Sequence, residues 1–306
     1  MVYTLTANPS LDYVIKIHQF RTGETNRSQE EKIFAGGKGL NVAVVLNNFG
    51  VPVKTFAITA GFTGEEWIRL VEEYGVSAQV VKLDEGETRI NVKMKATEET
   101  EINAVGPVVP KDKIQELYQL LDQITENDWL CISGKVSKGM EPSAYADMMR
   151  YLEDKHCRIV VDATGELLRQ TLPFHPYLIK PNRAELKEIG NTCIDSLEDV
   201  RQCAKRLIRM GAQNVLVSLG KDGALWVGGD GTEYLAEAPS GKVKNSVGCG
   251  DAMIAAFIYA IGNGEEIEQA FRLAISAGSA SAFSENLATK DEVYAILKDV
   301  KRKEIE

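Results

Sequence analysis

The sequence predicts an α/β protein: a mainly parallel central sheet flanked by helices, with a small β-sheet lid outside it. Three observations carry that prediction. From Trp129 onward, short strands rich in β-branched residues alternate with helical segments, which means βαβ units and a sheet covered on both faces. Those strands end in small or polar residues, Ser133-Gly134, Asp162-Ala163-Thr164-Gly165, Lys180-Pro181-Asn182 and Ser218-Leu219-Gly220, so their ends are expected to share one crevice. Two pairs of extended segments, 13–18 with 28–33 and 88–95 with 100–103, break the rhythm with alternating side chains and turn-rich connections.

In chain order, Val2-Tyr3-Thr4-Leu5-Thr6 reads as a strand and the pair 13–18 and 28–33 as antiparallel strands. Residues 41–49 are apolar at helical spacing and stop at Gly50; 51–58 follow as a strand. Thr63-Gly64-Glu65-Glu66 reads as a capping box opening a helix that ends at Gly75. Ile114, Leu117, Leu120, Leu121 and Ile124 form one amphipathic stripe. Strands are then expected at 129–133, 158–162, 177–180 and 215–219, with helices at 143–153 and 196–210 and a strand at 224–227. The C-terminal part reads as helices at 251–262 and 266–284 and a last one capped by Thr289-Lys290-Asp291-Glu292. The expected division is a core of 1–10, 35–85 and 107–306 and a β lid or dimer clasp of 11–34 and 86–106. An edge extension of the main sheet fits the lid pattern nearly as well.

With 306 residues the chain can bury one large core and a smaller accessory unit. A net charge of −9 argues against nucleic acid as a partner, because phosphate backbones need clustered cations. Five cysteines (131, 157, 193, 203, 249) without a CxxC pair and three scattered histidines suggest neither disulfides nor zinc, and reduced cytoplasmic thiols are the simpler expectation. No signal-like segment or membrane-length apolar run occurs, so no membrane partner is expected.

The stretch Asn245-Ser246-Val247-Gly248-Cys249-Gly250-Asp251 stands immediately before an apolar helix. Gly248 and Gly250 let backbone N–H groups turn toward one point before the first helical turn, an anion site. Asp251 repels an anion there, which makes sense if it faces a hydroxyl that must lose its proton; an acidic first turn is the ordinary alternative. Gly36-Gly37-Lys38-Gly39-Leu40-Asn41 is another loop-to-helix junction, where Lys38 and Asn41 add a cation and an amide. It is not a GxxxxGK[ST] loop, and protein-kinase motifs are missing. Asp12, read as the end of the first strand, suits sugar hydroxyls or a turn. Arg89 suits a phosphate or plain solvation. Asn182-Arg183-Ala184-Glu185 is equally a capping box. Ser218-Leu219-Gly220-Lys221-Asp222-Gly223 suits a nucleotide or a turn.

The joint order of these motifs resembles the PfkB (ribokinase-like) carbohydrate kinases along essentially the whole chain. Thr4-Leu5-Thr6-x-Asn8-Pro9-x-x-Asp12, Glu24-Thr25-Asn26-Arg27, Glu87-Thr88-Arg89-Ile90-Asn91-Val92-Lys93 and Lys180-Pro181-Asn182 look most like its bacterial hexose-phosphate branch. The resemblance implies a three-layer ribokinase-like fold and ATP- and Mg2+-dependent phosphorylation of a ketohexose phosphate. D-fructose 1-phosphate going to the 1,6-bisphosphate is the first expectation; tagatose 6-phosphate is the alternative, and a non-catalytic sugar-phosphate-binding regulator a more distant one. It implies Asp251 as base and the amides of Gly248, Cys249 and Gly250 as anion hole. Glu185, with Asn182, would order Mg2+ through water, while Lys180, Ser218, Gly220, Lys221 and Gly223 would line ATP. Asp12, Gly36, Gly37 and Asn41 would grip the sugar. Lys38, Arg89 and Arg27, the last reaching in from a partner's lid in a homodimer, would hold the sugar's phosphate. Three departures stand out: Asn245-Ser246 in place of Asp-Thr, Cys249 in place of a smaller residue, and an extra cation at Lys135. A thiol at a helix start also invites a lowered pKa at Cys249.

Overall fold

Fourteen strands among the described residues divide into a ten-stranded and a four-stranded sheet. The computed structural model describes residues 1–190 and 194–304, and Cys193 lies outside them. The first half runs β1 (Val2–Thr6), β2 (Ser10–Lys16), β3 (Glu30–Gly36), α1 (Lys38–Asn48), β4 (Val53–Ala60), α2 (Gly61–Glu73), β5 (Ser77–Leu83), β6 (Arg89–Lys95), β7 (Glu99–Asn103), α3 (Lys111–Leu121) and β8 (Trp129–Ser133). Then come α4 (Ala144–Tyr151), β9 (Arg158–Asp162), α5 (Gly165–Arg169), β10 (Leu178–Ile179), α6 (Arg183–Gly190), α7 (Leu197–Arg209), β11 (Asn214–Ser218), β12 (Ala224–Gly228) and β13 (Glu233–Glu237). The chain closes with α8 (Cys249–Gly262), α9 (Ile267–Phe283), α10 (Lys290–Ile296) and β14 (Lys301–Lys303).

The large sheet has the order β14-β13-β12-β11-β10-β9-β8-β1-β4-β5, parallel from β5 to β11 and antiparallel beyond. Its central strands are buried on both faces, as β8 shows. Trp129 and Cys131 join the core cluster that contains α1, α8 and α9, while Leu130 and Ile132 join the cluster on the opposite face. Helix α8 is apolar almost all round, with Ala252 through Ile258 buried, because it lies between α1 and α9 with Phe257 stacked on Trp226 of the sheet.

Of the antiparallel margin, β12 agrees with the strand expected at 224–227, whereas β13 and β14 are not legible from pattern. β13 (EYLAE) and β14 (KRK) carry charges that read as loop, and backbone pairing to the neighbouring strand makes them strands. The exposed lysines of β14 also guard the sheet edge. β5 (SAQVVKL) is likewise a strand that the pattern reading does not include. The expected capping box at Thr63 is not the start of α2, which begins two residues earlier at Gly61. Thr63 Oγ1 instead donates to Glu87 Oε2 at 2.9 Å.

The small sheet has the order β3-β2-β6-β7, with antiparallel outer pairs and a parallel β2/β6 pair. It shares no strand with the large sheet, so an edge extension does not describe it. β2 begins earlier than the alternation suggested, at Ser10, while β3 begins later, at Glu30, and Asp12 therefore lies inside β2 rather than at the end of β1. Thr88 joins the two sheets: its N–H donates to Ala60 O and its Oγ1 accepts from Ala60 N–H, both at 2.9 Å.

Candidate active site

Helix α8 starts at Gly248, whose φ of 78° is left-handed and suits a residue without a side chain. A Cβ there would also stand 2.6 Å from Leu287 Cδ2. The N–H of Ala252 reaches Gly248 O at 2.9 Å. The N–H groups of Cys249, Gly250 and Asp251 precede it, and no side chain caps them. The loop thus leaves a cradle of amides where an anion fits.

Asp251 stands in that first turn, only 5% exposed. Asn41 Nδ2 of α1 donates to its Oδ2 at 2.8 Å. Burial, then the nearby Asp162 carboxylate, pushes the Asp251 carboxyl up to about 6, against the pull of Lys38, Asn41 and Lys180. The glycine-lysine motif positions Asn41 by letting α1 lie on β1. Gly37, at φ 139°, abuts Thr6; Thr6 Oγ1 accepts the Leu40 N–H at 3.0 Å. Gly36 leaves room for Ser10 and Asp12, whose side chains would stand 2.6 and 2.7 Å from a Cβ.

Lys38 Nζ lies 3.1 Å from Asp162 Oδ2, and Lys180 Nζ lies 3.4 Å from Asp162 Oδ1. Burial opposes the charge on Asp162, but Lys180 and Lys38 together hold its carboxyl below the ordinary range. Burial likewise opposes the charge on Lys38, and Asp162, Asp251 and Glu185 outweigh it and raise its pKa. Lys180 Nζ also sits 2.6 Å from where a Cβ of Gly250 would stand, so the missing side chain is what admits the ammonium beside α8.

Asn182 and Glu185 do form the capping box of α6: Asn182 N–H donates to Glu185 Oε2 at 2.8 Å and Glu185 N–H to Asn182 Oδ1 at 2.9 Å. Glu185 Oε1 has no hydrogen-bond partner among the described residues, and that oxygen fits a water on a hard cation. No group of three or more His, Cys, Asp or Glu side chains gathers among the described residues. Ser218 ends β11 beside Asn182, and Gly220–Asp222 form a single tight turn after it. Lys221 lines a crevice of about 390 Å³ with Arg183, Asp222 and Ser240. Gly223, at φ 96°, presses on the Ala236 carbonyl, so its place is explained by strand packing.

The lid residues differ from expectation. Asp12 is already engaged: Oδ1 accepts from Ser10 Oγ at 2.8 Å and Asn91 Nδ2 at 3.0 Å, and Oδ2 pairs with Lys93 Nζ at 2.7 Å. Arg89 already has partners beside the small sheet. Its Nε and Nη2 donate to Asn8 O at 3.2 and 3.1 Å, and Nη1 to Ala104 O and Asn91 Oδ1, each at 3.3 Å. Arg27 is exposed in the β2–β3 connection, and Lys135 is exposed too. Cys249 is no activated thiol: burial, then Asp251, pushes it up to about 11. Sequence reasoning gives no role to Asp162, named only as a strand end in the shared crevice, or to Lys93; for Asp162 the available signal is a strand-end acid whose neighbours in the sheet end near lysines.

A family model for the pfkB family carbohydrate kinases matches residues 5–292. The chain belongs to that family. Among curated pfkB relatives, a 1-phosphofructokinase of Bacillus subtilis (strain 168) is 36% identical over 301 residues, 98% of this chain and 99% of the relative. A D-tagatose-1-phosphate kinase of Bacillus licheniformis is 33% identical over 291 residues, 94% of each chain. The crystal structure of phosphofructokinase-2 from Escherichia coli in complex with fructose-6-phosphate superposes with a TM-score of 0.91 at 27% identity, covering 98% of each chain. This pfkB chain is accordingly a sugar phosphotransferase with the α/β sheet-and-lid fold.

Proposed function

We propose that this kinase transfers the γ-phosphoryl group of ATP to the 6-hydroxyl of D-fructose 1-phosphate, giving fructose 1,6-bisphosphate. The observation that carries the phosphotransfer reading is the buried Asp251 carboxylate, held by Asn41, in the same turn as three uncapped N–H groups. Asp251 accepts the proton of the attacking hydroxyl, and its raised pKa lets it do so near neutrality. The N–H groups of Cys249, Gly250 and Asp251 hold the equatorial charge of the moving phosphoryl group. Lys180, with Ser218, Gly220 and Lys221, faces the nucleotide; Lys38, Asp12 and Asn41 face the sugar phosphate. When bound, Mg2+ neutralises phosphate charge, and Glu185, through water and with Asn182 beside it, is the group here suited to order it.

The relatives named for 1-phosphofructokinase and D-tagatose-1-phosphate kinase both support a 1-phosphorylated ketohexose as acceptor. An ADP-release assay tests this with fructose 1-phosphate, tagatose 1-phosphate, tagatose 6-phosphate, fructose 6-phosphate and fructose. The highest kcat/KM is expected on fructose 1-phosphate. Equal or greater kcat/KM on unphosphorylated fructose overturns the sugar-phosphate reading, and no turnover on any of them leaves the regulator.

The lid is proposed as a dimer clasp. Register puts Ile33, Tyr13, Val92 and Ile102 in one row across its four strands, and Ile33 and Ile102 are 48% and 59% exposed. Pairing two such faces removes an apolar surface from water. Ile102→Asp is expected to turn a micromolar dimer into a monomer in sedimentation; a monomeric wild type counts against the clasp. No helix among the described residues is long and apolar enough to cross a membrane. The free thiols of Cys131, Cys157, Cys203 and Cys249 fit the reducing cytoplasm proposed as its setting.

A further inference from the structure

The end of β9 holds a carboxylate that no sequence motif claimed. Asp162 is 2% exposed, and its two oxygens meet ammonium groups from two elements, Lys38 at the start of α1 and Lys180 just past β10. The backbone that carries it is pinned, since Gly134 N–H donates to Asp162 O at 2.9 Å. A buried carboxylate must be paired, and this pairing has a geometric consequence. Each lysine is held by a different oxygen, so the two ammonium groups are fixed apart. Lys180 Nζ is thereby laid against Gly250 in the open turn of α8. Lys38 is laid on the side of α1, the helix that also supplies Asn41 to Asp251. Each ammonium has three donors and spends one on Asp162, which leaves donors for a ligand.

We propose that Asp162 is the positioning residue that spreads Lys38 and Lys180 to either side of the transfer point, one toward the sugar phosphate and the other toward the nucleotide phosphates. The proposal rests on the kinase reading above. Without Asp162 both lysines lose their one direct ion-pair partner among the described residues, and with it their common anchor. The titratable groups facing Asp162 are Lys38, Lys180, Asp251 of α8, Cys131 of β8 and Tyr145 of α4, and Glu185 of α6 acts on Lys38.

The test is a mutant cycle built on Asp162→Asn, which keeps the shape and removes the charge. Calorimetric affinity for MgADP is expected to fall about tenfold, and adding Lys180→Met to Asp162→Asn is expected to cost less than about threefold more. In turnover, Lys38→Met is likewise expected to cost much less in the Asp162→Asn background than in the wild type. The acid limb of kcat/KM is expected to move to lower pH in Asp162→Asn, because a like charge near Asp251 is gone; a purely structural role leaves it in place. Losses that multiply through the cycle, or an unmoved acid limb, overturn the proposal. Thermal melting gives a readout free of substrate. Asp162→Asn strands a buried ammonium, so the Asp162→Asn/Lys180→Met pair is expected to melt higher than Asp162→Asn alone. If Asp162→Asn does not fold, the pair must, and a pair that melts lower or fails to fold overturns the proposal. A wild type that binds MgADP but phosphorylates no sugar phosphate refutes the acceptor assignment, while the MgADP and melting cycles still judge Asp162.

Discussion

Replacing Asp251 by Asn should cut turnover sharply and make the protein more stable. The carboxyl is pushed up to about 6 in the fold from 3.8 for a free aspartate, so the folded chain holds that proton more tightly than the unfolded one. The group's contribution to stability is therefore fully present below pH 3.8 and is lost as pH rises through 6. At about 1.36 kcal/mol per pH unit, the charged carboxylate costs the ligand-free fold about 3 kcal/mol at pH 7.5 and about half of that at pH 5. The amide that replaces it carries no charge, and its carbonyl oxygen still accepts from Asn41. With an unfolding entropy of about 2.1 cal/mol/K per residue, the gain corresponds to a Tm higher by about 5 °C at pH 7.5. The assay is thermal melting of both proteins without ligands at pH 7.5 and 5.0, followed by circular dichroism. A variant that melts at or below the wild type at pH 7.5, or a gain that is the same at both pH values, refutes the claim that burial strains this carboxylate. Turnover should fall by about two to four orders of magnitude, the reach of a positioned base.

Other outcomes follow from the same geometry. The acid limb of kcat/KM for the wild type should bend near pH 6, and a limb near pH 4 means the base is not the buried Asp251. Gly250→Ala puts a methyl group 2.6 Å from Lys180 Nζ, the end of a flexible side chain, so MgATP kinetics should suffer about tenfold or more while Tm moves little. An equal loss in both would mean that Gly250 serves only packing. Alkylation of Cys249 at pH 8, followed by mass spectrometry, should run roughly 100-fold slower than for a free thiol, because a thiol pushed up to about 11 is almost all protonated there. Rapid labelling would instead mark the helix start as an activating field.

Much of the fold was legible because its signals are local. Strands such as Trp129–Ser133 and Arg158–Asp162 are continuous apolar runs bounded by polar residues, and a strand buried on both faces has no other composition. The Thr289–Glu292 capping box closes within four residues and holds as read, and the helix expected from 196 opens on another such box, Ser196–Asp199. Thr63–Glu66 shows the limit of that reasoning. The same pattern is overruled when Glu87, remote in sequence, takes the threonine hydroxyl. The lid strands shifted for a related reason: pairing across β2, β3 and β6 sets their register and extends them past the alternating stretch.

By itself the sequence determined which chemistry is present: two glycines before an apolar helix, a carboxylate in its first turn, lysines after other glycines and strands, and an alternation that forces a parallel sheet. Those are choices of residue type at short spacing, and short spacing is what local geometry reads. Only the tertiary structure decided how the groups meet. Asn41 and Asp251 are 210 positions apart, Lys38 and Asp162 124 apart, and neither pair exists until β1, β9 and α8 are packed together. Packing also gave partners that no motif announced, setting Arg89 on the Asn8 and Ala104 carbonyls and Gly223 against β13. Burial, a property of the whole fold, lifts Asp251 into the range of a base and takes Cys249 out of reach as a thiolate.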